Sequence, residues 1–104
     1  MSERLNVRVA PSFFEDLDRQ LGSERGPNGE PSTIDFQSVE LIAIVDEFAT
    51  NFDSLLRPVV GRDDYRLLIK SGVLVQGISV VGQLMPDGAV ELLRLELDLR
   101  TGWE

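Results

Sequence analysis

Tyr65-Arg66-Leu67-Leu68-Ile69-Lys70-Ser71-Gly72-Val73-Leu74-Val75 decides the fold, because here the apolar period drops from that of a helix to two. Tyr65, Leu67 and Ile69 alternate with Arg66, Leu68 and Lys70, the pattern of a strand. Ser71-Gly72 reads as a tight hairpin turn. Residues 73–85 then run largely apolar on both faces, as a central strand does, with Gly77 and Gly82 as places for a bulge or sharp coil. Pro86-Asp87-Gly88 is a second turn. The last strand carries Leu93, Leu95, Leu97 and Leu99 inward and Arg94, Glu96 and Asp98 outward. Its phase slips at Leu92-Leu93, which reads as a bulge.

Upstream, Leu5, Val7 and Val9 mark a short strand that Pro11 stops. Ser12-Phe13-Phe14-Glu15 has the form of a capping box. Phe13, Leu17 and Leu21 give the stripe of a short helix, with Asp16, Asp18 and Arg19 on its wet side and Gly22 at its end. Residues 22–33 hold three Gly, two Pro and no large apolar anchor, and read as a long mobile loop. A second helix follows, capped by Asp35 or Ser38 and running to about Leu56 before Pro58. Leu41, Ile42, Ile44, Val45, Phe48, Ala49, Phe52, Leu55 and Leu56 share its apolar arc. Glu40, Asp46, Glu47 and Asp53 lie on the opposite arc, while Phe36 and Val39 fall outside the apolar one. The expectation is a single α+β domain over residues 1–104: a strand, two helices, then a three-stranded antiparallel meander, with the helices packed on one face of the sheet.

Composition removes most chemistry. Eighteen acids face ten bases, giving a net charge of −8, and the chain has no histidine and no cysteine. An imidazole base, a thiolate, a disulfide and a zinc site of the usual ligands are therefore excluded. The charge disfavours a nucleic-acid surface, whose affinity comes from Lys and Arg on phosphates. The acidity is concentrated: residues 1–56 carry eleven acids and four bases, residues 57–104 seven and six. No apolar run is long enough to span a bilayer, and residues 1–6 lack the apolar core of a signal peptide. The expectation is a cytoplasmic protein with no cofactor, no metal and no membrane partner.

The densest polar cluster, Gly61-Arg62-Asp63-Asp64-Tyr65-Arg66, reads as a solvated turn with local ion pairs, since adjacent acids on a strand point in different directions. No phosphate loop or nucleophile elbow is present.

In its element order the chain resembles the RelE/ParE superfamily of small bacterial toxins from toxin–antitoxin systems. Val7-Arg8-Val9-Ala10-Pro11, Phe14-Glu15-Asp16-Leu17 and Asp64-Tyr65-Arg66-Leu67-Leu68-Ile69 carry the likeness, which continues through Gly72-Val73-Leu74-Val75 and Asp87-Gly88-Ala89-Val90-Glu91-Leu92. The resemblance implies that Tyr65, Arg66 and Arg94 would be the reacting groups of a ribosome-dependent mRNA endonuclease. It also implies a gyrase-directed branch that lacks nuclease residues. The missing histidine and the acidity favour action by protein–protein contact over cleavage. The alternative is an acidic inhibitor or immunity-type protein whose helix face meets a basic target.

A two-residue turn at Ser71-Gly72 would set Lys70 opposite Val73 and Leu68 opposite Val75. Tyr65, Leu67 and Ile69 would then face the helices. Leu68, Val73, Val75 and Val81, joined by Trp103 near the chain end, would form the partner-binding surface. Its expected occupant is an antitoxin-like segment, a basic target or a second copy.

Overall fold

A computed structural model describes residues 4–27 and 29–99. The order is β1 (Val7–Val9), α1 (Pro11–Gln20), α2 (Thr33–Thr50), a 3₁₀ turn (Phe52–Ser54), then β2 (Tyr65–Lys70), β3 (Gly77–Leu84) and β4 (Val90–Asp98). The domain is α+β, and its four strands form one mixed sheet in the order β1-β4-β3-β2. β2, β3 and β4 make the antiparallel meander, while β1 pairs parallel to the start of β4, Val7 beside Val90 and Val9 beside Leu92. Phe13, Leu17 and Leu21 of the α1 segment meet Phe36, Ile44 and Phe48 of α2 over Leu68, Ile78, Val80, Leu92 and Leu95 of the sheet.

The expected bulge in β4 is present. Val81 pairs with Arg94 and Gly82 with Leu92, which leaves Leu93 unpaired and restores the core phase on both sides of it. Gly82 is where Phe48 lies on the sheet: a Cβ there would meet the ring at 2.6 Å. Gly88 closes the β3–β4 turn with φ +90°, a backbone that favours glycine.

Helix starts differ from expectation. α1 opens with Pro11 as its first residue and has no side-chain cap. The Ser12 hydroxyl donates instead to the Leu93 carbonyl at 2.6 Å. α2 is capped by Ser32, whose hydroxyl accepts from the Asp35 amide while the Asp35 carboxylate accepts from the Ser32 amide, both at 3.1 Å. It ends at Thr50, not near Leu56. Residues 22–33 close on themselves: the Thr33 amide donates to the Gly22 carbonyl and the Gly26 amide to that of Glu30. The Arg25–Asp35 ion pair at 2.9 Å ties the loop to α2.

The largest departure is the β2–β3 connection. The link is the loop 71–76, and Lys70 lies opposite Ile78, not Val73. That displacement is odd, so every β2 side chain sits on the face opposite to the one a two-residue turn dictates. Arg66 and Leu68 point into the core, while Tyr65, Leu67 and Ile69 point away from the helices.

Candidate interaction surface

The three residues of the endonuclease set are not brought together. Tyr65 is half-buried on the open face, with the Arg62 guanidinium 4.8 Å from its ring centroid. Arg66, the next residue, faces the other side and is only 3% exposed. Its Nη1 donates to the Phe52 carbonyl and its Nε to that of Asp63 (3.1 Å), with the guanidinium 4.5 Å from the Phe52 ring centroid. Arg66 thus fastens the 3₁₀ turn to β2 by cation–π and charge-assisted bonds. Arg94 lies 3.1 Å from Asp16.

Of the expected partner-binding residues, Leu68 and Val75 belong to the core, at 6% and 7% exposed, because the register inverts β2 and the loop 71–76 folds Val75 inward. This corrects their assignment to the outer surface. Val73 stands on the loop and is strongly exposed, and Val81 is half-buried on the open face. Trp103 lies outside the described residues.

The surface that takes their place consists of Tyr65, Leu67 and Ile69 on β2 and Val81 on β3, with Leu67 directly opposite Val81. Ile69 is 61% exposed. None of the four belongs to the buried cluster beneath the helices. Leu56 extends the patch: it exchanges two backbone hydrogen bonds with Leu67 (2.8 and 3.2 Å) at the outer edge of β2 and is itself largely exposed. Sequence reasoning assigned the wrong residues because it lacked the loop length. The available signal was Glu40, an acid placed at spacing four within the row Phe36, Ile44, Phe48. It is buried, and its carboxylate accepts from the amides of Val73 (3.0 Å) and Leu74 (2.9 Å), holding open the loop that sets the register. Gly72 lies against that carboxylate, where a side chain would collide.

Electrostatics around the surface is one of neutralised bases. Arg4, Arg8, Arg25, Arg57 and Arg62 pair with Asp46, Asp87, Asp35, Asp63 and Asp64, and Arg19 and Arg94 share Asp16. With Arg66 on carbonyl oxygens, every described arginine has a partner within the protein. Hydrogen bonds from Arg25 and the Ser32 amide hold Asp35 down to about 2. Those from Arg62 and Gln83 hold Asp64 well below the usual carboxylate range. Burial pushes Asp16 up, but the Leu95 amide, Arg19 and Arg94 together leave it below its ordinary value. Among the described residues no group of three acidic side chains is placed to hold a metal ion, and no helix is long and apolar enough to cross a membrane. No family model, curated protein or solved structure matches the chain.

Proposed function

We propose that this is a RelE/ParE-like protein of a toxin–antitoxin or related module that acts by protein–protein contact, without nuclease chemistry. The observation that carries the reading is the open sheet face, where Tyr65, Leu67, Ile69 and Val81 present apolar surface on the side away from both helices. Apolar side chains grouped on an uncovered sheet face, with Ile69 strongly exposed, are what a protein contact of this kind would use. Burial of Arg66 on carbonyl oxygens, away from Tyr65, and the ion pair of the exposed Arg94 with Asp16 support the absence of cleavage. The strand–helix–helix–meander order agrees with what the resemblance implies. The acidic-inhibitor reading draws less support. Of the four acids assigned to the wet face of α2, Glu40 is buried on loop amides and Asp46 is paired with Arg4.

The test is co-expression and co-purification with the product of the adjacent gene, wild type against Ile69→Asp. A complex lost in the variant supports the reading. A complex indifferent to Ile69 removes the sheet face from it. Cleavage of mRNA on translating ribosomes that Tyr65→Phe abolishes would restore the endonuclease.

A further inference from the structure

Leu99, just past the end of β4, stands in the wall of an open cleft of about 370 Å³. The loop 71–76 and residues 29–31 of the long loop before α2 make the rest of that wall. Leu99 also packs against the core, and the Gln76 amide donates to the Asp98 carbonyl at 3.0 Å. The chain therefore leaves β4 from a fixed point beside the loop.

The register sets the direction in which it leaves. Gly77 lies opposite Asp98 and Ile78 opposite Leu97, so each step forward along β4 is a step back along the segment before β3. Continued past Leu99, that direction runs along the loop toward Ser71, over the cleft. Trp103 is the fourth residue beyond Leu99, within a reach of about 13–14 Å. The same count brings it level with Gly72.

The wall suits an indole. Val73 is 80% exposed and Leu74 38%, although Glu40 holds both by their amides, so two apolar side chains stand in a fixed place and largely uncovered. Ser71 and Gln76 bring side-chain oxygens to the same wall. An indole has an apolar body and a single N–H that takes an acceptor when buried. Trp103 is the one tryptophan of the chain and the one large apolar side chain among its last five residues.

We infer that this cleft is the seat of the chain's own Trp103, with the ring laid on Val73 and Leu74 and its N–H given to an oxygen of Ser71 or Gln76. The seat is separate from the open sheet face, and it stands or falls independently of the function proposed for that face. A seated indole braces the loop whose path decides which β2 side chains reach the open face.

Indole fluorescence tests this directly, because it reports on Trp103 alone. The folded wild type should emit to the blue of the urea-unfolded chain and resist acrylamide quenching, equally at every protein concentration. Val73→Asp should abolish both effects while leaving the circular dichroism of the fold unchanged, since Val73 is exposed. Ile69→Asp, on the open sheet face, should abolish neither. Trp103→Ala should speed hydrogen exchange at Val73 and Leu74 but not at Ile78. An indole as exposed in the folded chain as in the unfolded one overturns the inference. So does a blue shift that survives Val73→Asp, that Ile69→Asp removes, or that appears only as concentration rises and so places the ring in another molecule. Exchange at Val73 and Leu74 that is indifferent to Trp103→Ala overturns it as well.

Discussion

Glu40 shows how one side chain sets the register of a sheet. Its carboxylate lies under the loop 71–76 and accepts two amide hydrogens that no strand partner satisfies. Removing the acceptor loses two hydrogen bonds to a carboxylate on the exposed residues Val73 and Leu74, at about 0.5–1.5 kcal/mol each. Glu40→Ala should therefore destabilise by roughly 1–3 kcal/mol in urea denaturation and accelerate hydrogen exchange at Val73 and Leu74. Glu47→Ala, on the same helix but half-buried and with only a long side-chain bond from Asn51, should stay within about 0.5 kcal/mol of wild type. Equal effects of the two would mean that Glu40 does not hold the loop. A second contact of this kind is Phe48 on Gly82. Phe48→Ala empties a buried aromatic site and should cost about 3–5 kcal/mol. Gly82→Ala drives a methyl group into the same ring and should cost about 1–3 kcal/mol. Of this pair the sequence made Phe48 visible, through the apolar arc of its helix. Gly82 was legible only as a place for a bulge, because nothing local says that a ring will lie on it.

At the scale of elements, α1 does the work of an edge strand. β1 covers only the first part of the outer edge of β4, its ladder closing with the Ala10 amide on the Leu92 carbonyl at 2.9 Å. Beyond that point Ser12, Asp16 and Gln20 take over. Ser12 donates to the Leu93 carbonyl and Asp16 accepts from the Leu95 amide. Gln20 donates to the Leu95 carbonyl and accepts from the Leu97 amide. The match is geometric. Four helical residues rise about 6 Å, close to the roughly 6.6 Å of two strand residues, so a helical spacing of four keeps step with every second strand residue. The edge is closed by side chains and gives no template for another strand. A sequence reading puts Asp16 on the wet side, since polar residues at spacing four look the same whether they face water or an open ladder. Gln20→Ala should leave the Leu97 amide without its acceptor and cost about 1–2 kcal/mol, with faster exchange at Leu97 but not at Ile78 on the inner strand. Unchanged exchange at Leu97 would show that water replaces the side chain without loss.

Across the whole molecule, the element order and the α+β class were legible because each rests on local periodicity, and the bulge because a phase slip is written in the sequence itself. The faces of β2 were not, since they depend on the loop length between two apolar strands, and that depends on a carboxylate more than thirty residues away. The same long-range pairing governs the response to acid. Asp16 and Asp35 have folded-state values below the ordinary 3.8, Asp35 at about 2, and Asp64 and Asp87 are displaced the same way. Between the folded and unfolded values the unfolded chain binds more protons, so stability falls as pH falls through that window. These pairs contribute fully above about pH 4 and are lost progressively toward pH 2. An opposing effect acts at higher pH. The net charge of −8 repels itself, and protonating unpaired surface acids relieves that repulsion as pH falls toward the sequence pI of about 4.4. The two effects act in different ranges. Stability measured by urea denaturation should therefore be level or slightly rising from pH 7 to about 5, then drop steeply below about 4, where the paired aspartates titrate and the net charge turns positive. Asp16→Asn, which keeps an oxygen for the Leu95 amide but loses the charge facing Arg19 and Arg94, should be less stable at pH 7 and show a shallower acid limb. A wild type that keeps gaining stability from pH 4 to pH 2 would mean that charge repulsion, not the aspartate pairs, dominates its acid response.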